Sequence, residues 1–154
     1  MTTLKQQLQA DLTDAMRARD ALTSGTIRMA LSAITNEEVS GKTARVLTDA
    51  EVTTVLTREG KKRREAIDAY TAANRADLAD KEAAELGVLE RYLPSPLTPS
   101  ELSALIDEAV ASAAATGAEG LKALGVVMKL LQPKVSGRAD GAAVAAAVRA
   151  ALGA

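Results

Sequence analysis

Apolar residues recur every three to four positions along almost the whole chain, the period of helices that each cover one face. From about Thr3 to Arg17, Leu4, Leu8, Leu12, Ala15 and Met16 fall on one side. From about Ser24 to Glu38 the stripe is Ile27, Ala30, Leu31 and Ile34, and the polar stretch 39–45 that follows reads as a loop. Thr48-x-x-Glu51 forms a capping box, in which each side chain reaches the other's backbone N–H, and it opens a long helix to about Ala73. Its stripe is Val52, Val55, Leu56, Ala66, Ile67 and Tyr70. Asn74-Arg75-Ala76-Asp77 reads as a break with a cap, followed by a helix to Tyr92.

Leu93-Pro94-Ser95-Pro96-Leu97-Thr98-Pro99 is the sharpest boundary, because closely spaced prolines force extended backbone and cannot sit inside a helix. Thr98-Pro99-Ser100-Glu101 then restarts a helix, with proline at its first position and a second capping box. Helices are predicted over about Pro99–Ala115, Leu121–Gln132 and Asp140–Leu152. Pro133 is expected to stop the second of these near Gln132 or kink it into a last turn, Gly137 and Gly141 to supply unusual backbone angles, and Asp140 to cap the final helix. The fold class is therefore all-α: an N-terminal helical domain over 1–93 and a small C-terminal three-helix domain over 98–154, joined by a Pro-rich linker. The C-terminal core is expected from Leu102, Leu105, Ile106, Val110, Leu124, Val127, Met128, Leu131, Val144, Val148 and Leu152.

Composition narrows the chemistry. The chain of 154 residues is 47% hydrophobic and 25% charged with net charge −1, which suits folded domains. It has no Phe or Trp, and Tyr70 and Tyr92 are its aromatic residues, so the core must be aliphatic. Without Cys there are no disulfides, thiolate nucleophiles or thiolate metal sites; without His the usual general base and the commonest metal ligand are missing. No carboxylate pair is placed across a cleft by its sequence positions, and no GxxxxGK[ST] phosphate loop occurs. No catalytic residue, metal or cofactor is expected. No run approaches the ~20 apolar residues of a membrane helix, and the first residues show no apolar leader core, so the cytoplasm is the expected compartment.

Two polar features stand out in the N-terminal domain. Glu59 and Arg63 lie on the apolar stripe of the long helix, four residues apart, and charges there need partners. They are expected to pair with each other, with Glu38 of the preceding helix as a candidate third member. This is either a polar cluster in a binding groove or a structural ion pair. Arg58, Lys61, Lys62, Arg63 and Arg64 form a cationic run that attracts polyanions. The alternative is a solvated face balanced by Glu59, Glu65 and Asp68, in keeping with 14 cations against 15 anions over residues 1–93. Arg58, Lys61, Lys62 and Arg64 are the candidate phosphate contacts of this helix.

In the C-terminal domain, Lys122 and Lys129 are seven apart and share a helix face, while Lys134 and Arg138 bracket the turn. The pattern Gly125-x-x-Met128-Lys129, Pro133-Lys134, Gly137-Arg138-Ala139-Asp140-Gly141 resembles the signature of the YqeY family. Arg28-Met29, Asn36-Glu37-Glu38, Leu47-Thr48-Asp49-Ala50-Glu51-Val52, Lys62-Arg63-Arg64, Glu85-Leu86 and Glu90-Arg91-Tyr92-Leu93-Pro94 follow in the order such proteins show, from about Leu4 to Leu152. The family is related to the C-terminal tail of the B subunit of the tRNA-dependent Asx/Glx amidotransferase. The resemblance implies a tRNA-associated binding module that touches the tRNA backbone through Lys122, Lys129, Lys134 and Arg138. It also implies two alternatives: an accessory component of a glutamine-dependent amidotransferase (a carbon–nitrogen ligase with glutamine as amide donor) that assembles with its subunits, or a protein-interaction module with no nucleic-acid role. The nucleophile and activating phosphate site of amide transfer reside in parts of that enzyme absent from this chain, so no independent catalysis is expected.

Overall fold

The computed structural model describes residues 1–153, and these contain seven α-helices and no strand. They divide into two compact units, one over Met1–Leu93 and one beginning at Pro94. The first holds α1 (Leu4–Arg17), α2 (Ala21–Glu38), α3 (Asp49–Ala72) and α4 (Ala76–Glu90); the second holds α5 (Pro99–Ala115), α6 (Gly120–Val135) and α7 (Gly141–Leu152).

In the first unit α3 and α4 form a helical hairpin, α1 lies along α2, and α2 touches both hairpin helices. The shared core is Leu8, Ile27, Ala30, Ile34, Leu47, Val52, Val55, Leu56, Val88 and Leu89. Burying a side chain of this size is worth roughly 1.5–3 kcal/mol. The stripe of α3 outlasts this core: Val52, Val55 and Leu56 are buried, whereas Ala66, Ile67 and Tyr70 are half-buried. A helix of 24 residues is about 36 Å long at 1.5 Å per residue, longer than the core it serves.

Helix ends follow local chemistry. Thr48 and Thr98 each accept from the N–H three residues on, while Glu51 and Glu101 accept from the cap N–H, as the sequence pattern predicts. The same reciprocal pair joins Thr3 and Gln6. Helix α2 starts three residues before the predicted Ser24, because the Asp20 carboxylate accepts from the Thr23 N–H at 3.0 Å and caps an earlier turn. The expected cap of α4 is absent: Arg75 occupies that position without a side-chain cap bond, after Asn74 in a left-handed conformation at φ 56°. Helix α4 also ends at Glu90, not Tyr92.

In the second unit three helices enclose Ile106, Ala109, Ala113, Val127, Leu131, Val135, Val144 and Val148. Leu102, Leu105, Val110, Leu124, Met128 and Leu152 from the expected core are partly buried against it. Alanines take their place at the centre because a methyl side chain lets two helices approach closely. Pro133 does not end α6, which runs on to Val135. In the last turn a missing N–H removes a single helical bond, and the chain tolerates it. The turn then uses Gly137 at φ 74°. Gly141 instead opens α7 as an ordinary first helical residue, and Asp140 caps it through the Ala143 N–H at 3.0 Å.

Candidate nucleic-acid interface

Arg58, Lys61, Lys62 and Arg64 of α3 are exposed but mostly neutralised. Arg58 pairs with Glu37 at 2.9 Å, Lys62 with Glu59 at 2.8 Å and Arg64 with Glu90 at 3.6 Å. Lys61 is exposed and has no carboxylate in ion-pair range among the described residues. Each carboxylate cancels much of the potential that a phosphate would feel, and exposed pairs of this kind contribute little to stability.

Glu38, Glu59 and Arg63 do not form one cluster, which corrects the expected Glu59–Arg63 pair. Glu59 turns to Lys62. Arg63 crosses to α4 and meets Glu85 at 2.7 Å and Glu82 at 3.0 Å. Its second terminal nitrogen donates to the Met29 sulfur at 3.7 Å. Glu38 sits at the end of α2 and binds Lys5 of α1 at 2.7 Å. That hydrogen bond holds the Glu38 carboxyl below its ordinary range. Arg63 and Glu38 therefore each join two helices, α3 to α4 and α2 to α1, while Glu59 pairs within its own helix.

The C-terminal cations differ. Lys122 and Lys129 are both exposed on α6, and neither has a carboxylate in ion-pair range among the described residues. They line a shallow groove with Thr116, Gly117, Gly125 and Val126. Gly125 lies between them, three residues from one and four from the other, and a side chain there would meet nothing within 4 Å. The helix surface is thus lowest where the two ammonium groups flank it. Glu119 precedes α6 at the cap position with no side-chain cap bond, so the positive end of the helix dipole adds to the field at Lys122. Lys134 lies a turn beyond and makes a long contact of 3.7 Å with Glu108.

Arg138 has a different role in the architecture. Its Nε donates to the Ser95 carbonyl at 2.9 Å, while its own carbonyl accepts from the Leu97 N–H at 2.8 Å. Arg138 is thus doubly linked to residues 95–97, while Asp140 is engaged as the cap of α7.

Sequence reasoning missed two buried interactions. Glu85 is 6% exposed yet charged, and its carboxylate is explained by Arg63. The Tyr92 hydroxyl donates to Asp11 at 2.6 Å across 81 positions of chain. Partial burial first, and that hydrogen bond second, push the phenol pKa above its ordinary range. Neither pair has a local signal, because spacing identifies partners only within one helix.

Comparison with known proteins fits these elements as a set. A model of YqeY-like proteins matches residues 5–152. The chain belongs to the YqeY-like family. The YqeY-like chain is 35% identical to Altered inheritance of mitochondria protein 41 of Pyrenophora tritici-repentis over 86% of its own length and 71% of that protein's. It is 34% identical to the protein of the same name from Vanderwaltozyma polyspora over 66% of this chain and 55% of that one. An uncharacterised protein of Schizosaccharomyces pombe is 35% identical over 59% of this chain and 72% of its own. Two of these relatives are named as mitochondrial proteins. That finding overturns the cytoplasmic expectation, which rested on the lack of an apolar leader and of a long apolar run. No helix among the described residues is long and apolar enough to cross a membrane.

Proposed function

We propose that this YqeY-like protein is a non-catalytic binding module whose α6 surface holds the phosphate backbone of tRNA. The observation that carries this reading is the pair Lys122 and Lys129, exposed and without carboxylate partners among the described residues, on either side of the open surface at Gly125. Two cations with a gap between them suit a phosphate, whose oxygens can accept from both. Lys134, in the last turn of the same helix, is the further cation available to a longer polyanion. The reading also takes the two units as separate domains with residues 94–97 as their linker.

The chemistry favours backbone contact over base readout. Residues 94–154 contain no aromatic side chain on which a base could stack. Their five cations and five anions balance, so binding depends on local placement and not on net charge. The resemblance to the amidotransferase B-subunit tail supplies tRNA as the nucleic acid. The cations of α3 are secondary in this reading, because Arg58, Lys62 and Arg64 already hold carboxylates.

The test is tRNA binding by the purified protein at low and at moderate salt, with random double-stranded DNA as control. Salt-sensitive binding that prefers tRNA is expected, and Lys122→Ala and Lys129→Ala should each lower the salt slope by about one. Absence of binding at low salt would reject the reading. So would unchanged affinity in both variants with native helicity. Co-purification with amidotransferase subunits in place of tRNA would move the protein to the accessory role.

A further inference from the structure

We propose that Arg138 is a latch that fixes the segment 95–97 onto the α6–α7 turn and thereby sets the length of the tether between the two units. It deepens the reading above by making Arg138 a positioning residue and leaving the phosphate contacts to the lysines of α6.

The segment between α4 and α5 has no regular structure from Pro94 to Thr98. Proline cannot donate a hydrogen bond, so Pro94 and Pro96 leave few ways to hold this stretch. Thr98 is held by its capping box with Glu101, and the two bonds that hold Ser95 and Leu97 both end on Arg138. The Leu97 N–H donates to the Arg138 carbonyl at 2.8 Å, and the Arg138 Nε donates to the Ser95 carbonyl at 2.9 Å. One residue thus serves as acceptor and donor to alternate residues of the segment. The donor is charged, which makes its bond the stronger of the two.

Arg138 itself is held rigidly. Its N–H donates to the Val135 carbonyl at 2.9 Å, and the preceding Gly137 takes a left-handed conformation at φ 74° that side chains resist. On the other side Leu97 is half-buried against the core of the second unit. With the latch closed, residues 95–97 are part of that unit and add nothing to the flexible tether. With it open, residues 94–97, the stretch before the Thr98 cap, become a free spacer that reaches up to about 13 Å at 3.3 Å per residue. The tether length fixes how freely the two units search for a shared partner. The Gly-Arg-Ala-Asp-Gly stretch then has a full assignment: a turn glycine, a latch, a spacer, a helix cap and the first residue of α7.

The experiment is site-resolved amide hydrogen exchange on the full chain, comparing the parent with Arg138→Ala and Arg138→Lys. The Leu97 amide should exchange at least roughly tenfold faster in both variants, since neither can present a guanidinium Nε to Ser95. The amides of Val127 and Leu131 should be unchanged, which shows that the unit remains folded. Unchanged Leu97 protection in either folded variant would overturn the latch. If alanine unfolds the unit, the lysine variant decides, because it keeps the stem and the charge. A second arm measures tRNA affinity against salt: Arg138→Ala should keep the parent slope. A slope lowered by about one would make Arg138 a phosphate contact and overturn its assignment. If the parent binds no tRNA, the proposed function fails, and the exchange arm still decides the latch.

Discussion

Arg63 of α3 closes on Glu85 of α4 at 2.7 Å, and the two side chains are only 12% and 8% exposed. This pair, reinforced by Glu82 at 3.0 Å, joins the two helices of the hairpin across their buried seam. Removing one partner of a buried pair leaves the other charge desolvated and uncompensated, a loss of about 3–5 kcal/mol. Arg63→Ala should therefore destabilise the first unit by about 3 kcal/mol in denaturant unfolding, toward the lower end because Glu82 keeps some access to water. Glu59→Gln should shift stability by less than about 0.5 kcal/mol, because it disturbs only the pair with exposed Lys62. Equal losses in the two variants would mean that Arg63 relies on Glu59 after all.

The bond from the Tyr92 hydroxyl to Asp11 at 2.6 Å ties the end of the α4 segment to α1. Tyr92→Phe should cost about 1 kcal/mol, the net worth of a partly buried hydrogen bond. The same contact predicts an alkaline limit. The folded phenol has its pKa raised, by burial and then by Asp11, so the folded state favours the protonated form. Its contribution is complete below the unfolded phenol value of about 10 and fades as pH rises above it. The parent should lose more stability than Tyr92→Phe between pH 9 and about 11 by thermal melting. Identical pH profiles would reject this account.

At the acidic end the signs reverse. Glu38 is held below the ordinary carboxyl range by its hydrogen bond to Lys5, Glu51 by the Thr48 backbone N–H and then Arg45, and Asp20 by Thr23. Groups with depressed folded values stabilise the protein above their unfolded values, near 4, and lose that contribution as pH falls through the folded ones. The first unit should therefore lose stability below about pH 4, and Lys5→Met should flatten part of that fall. A Lys5→Met profile parallel to the parent's would exclude the Lys5–Glu38 pair as a source.

Gly125 lies mid-helix with open space where a side chain would be. Gly125→Ala should stabilise the second unit by about 0.5–1 kcal/mol through reduced backbone freedom in the unfolded chain and better helix propensity. Gly125→Leu should fill the gap between Lys122 and Lys129 and weaken polyanion binding without changing the salt slope, because no charge is removed. Calorimetry and binding on the same two variants separate the roles: a destabilised alanine variant would mean that the groove is closed by a contact.

The parts legible in the sequence are those governed by neighbours along the chain. Thr48, Thr98 and Asp140 announce their helices because a cap acts over three residues. Pro94, Pro96 and Pro99 mark the break for the same local reason. Apolar periodicity identified Val52, Val55 and Leu56 as core, but could not say where the core stops, so Ala66, Ile67 and Tyr70 were expected inside and are half-buried. Among the candidate phosphate contacts, Arg58, Lys62, Lys122 and Lys129 look alike in sequence, and their pairing differs only because Glu37 reaches the first from another helix and Glu59 the second from its own.

The amino-acid sequence by itself determined the seven helices, the aliphatic character of both cores, the family and the absence of cysteine and histidine chemistry. These follow from composition and from interactions within about one helical turn. The tertiary structure alone decided that Arg63 belongs to Glu85, Glu38 to Lys5, Tyr92 to Asp11 and Arg138 to Ser95. In each case the partner lies 22 to 81 positions away or the choice lies between competing carboxylates. A charged side chain takes whichever partner the packing of helices brings within about 3 Å, and that packing is a property of the folded chain.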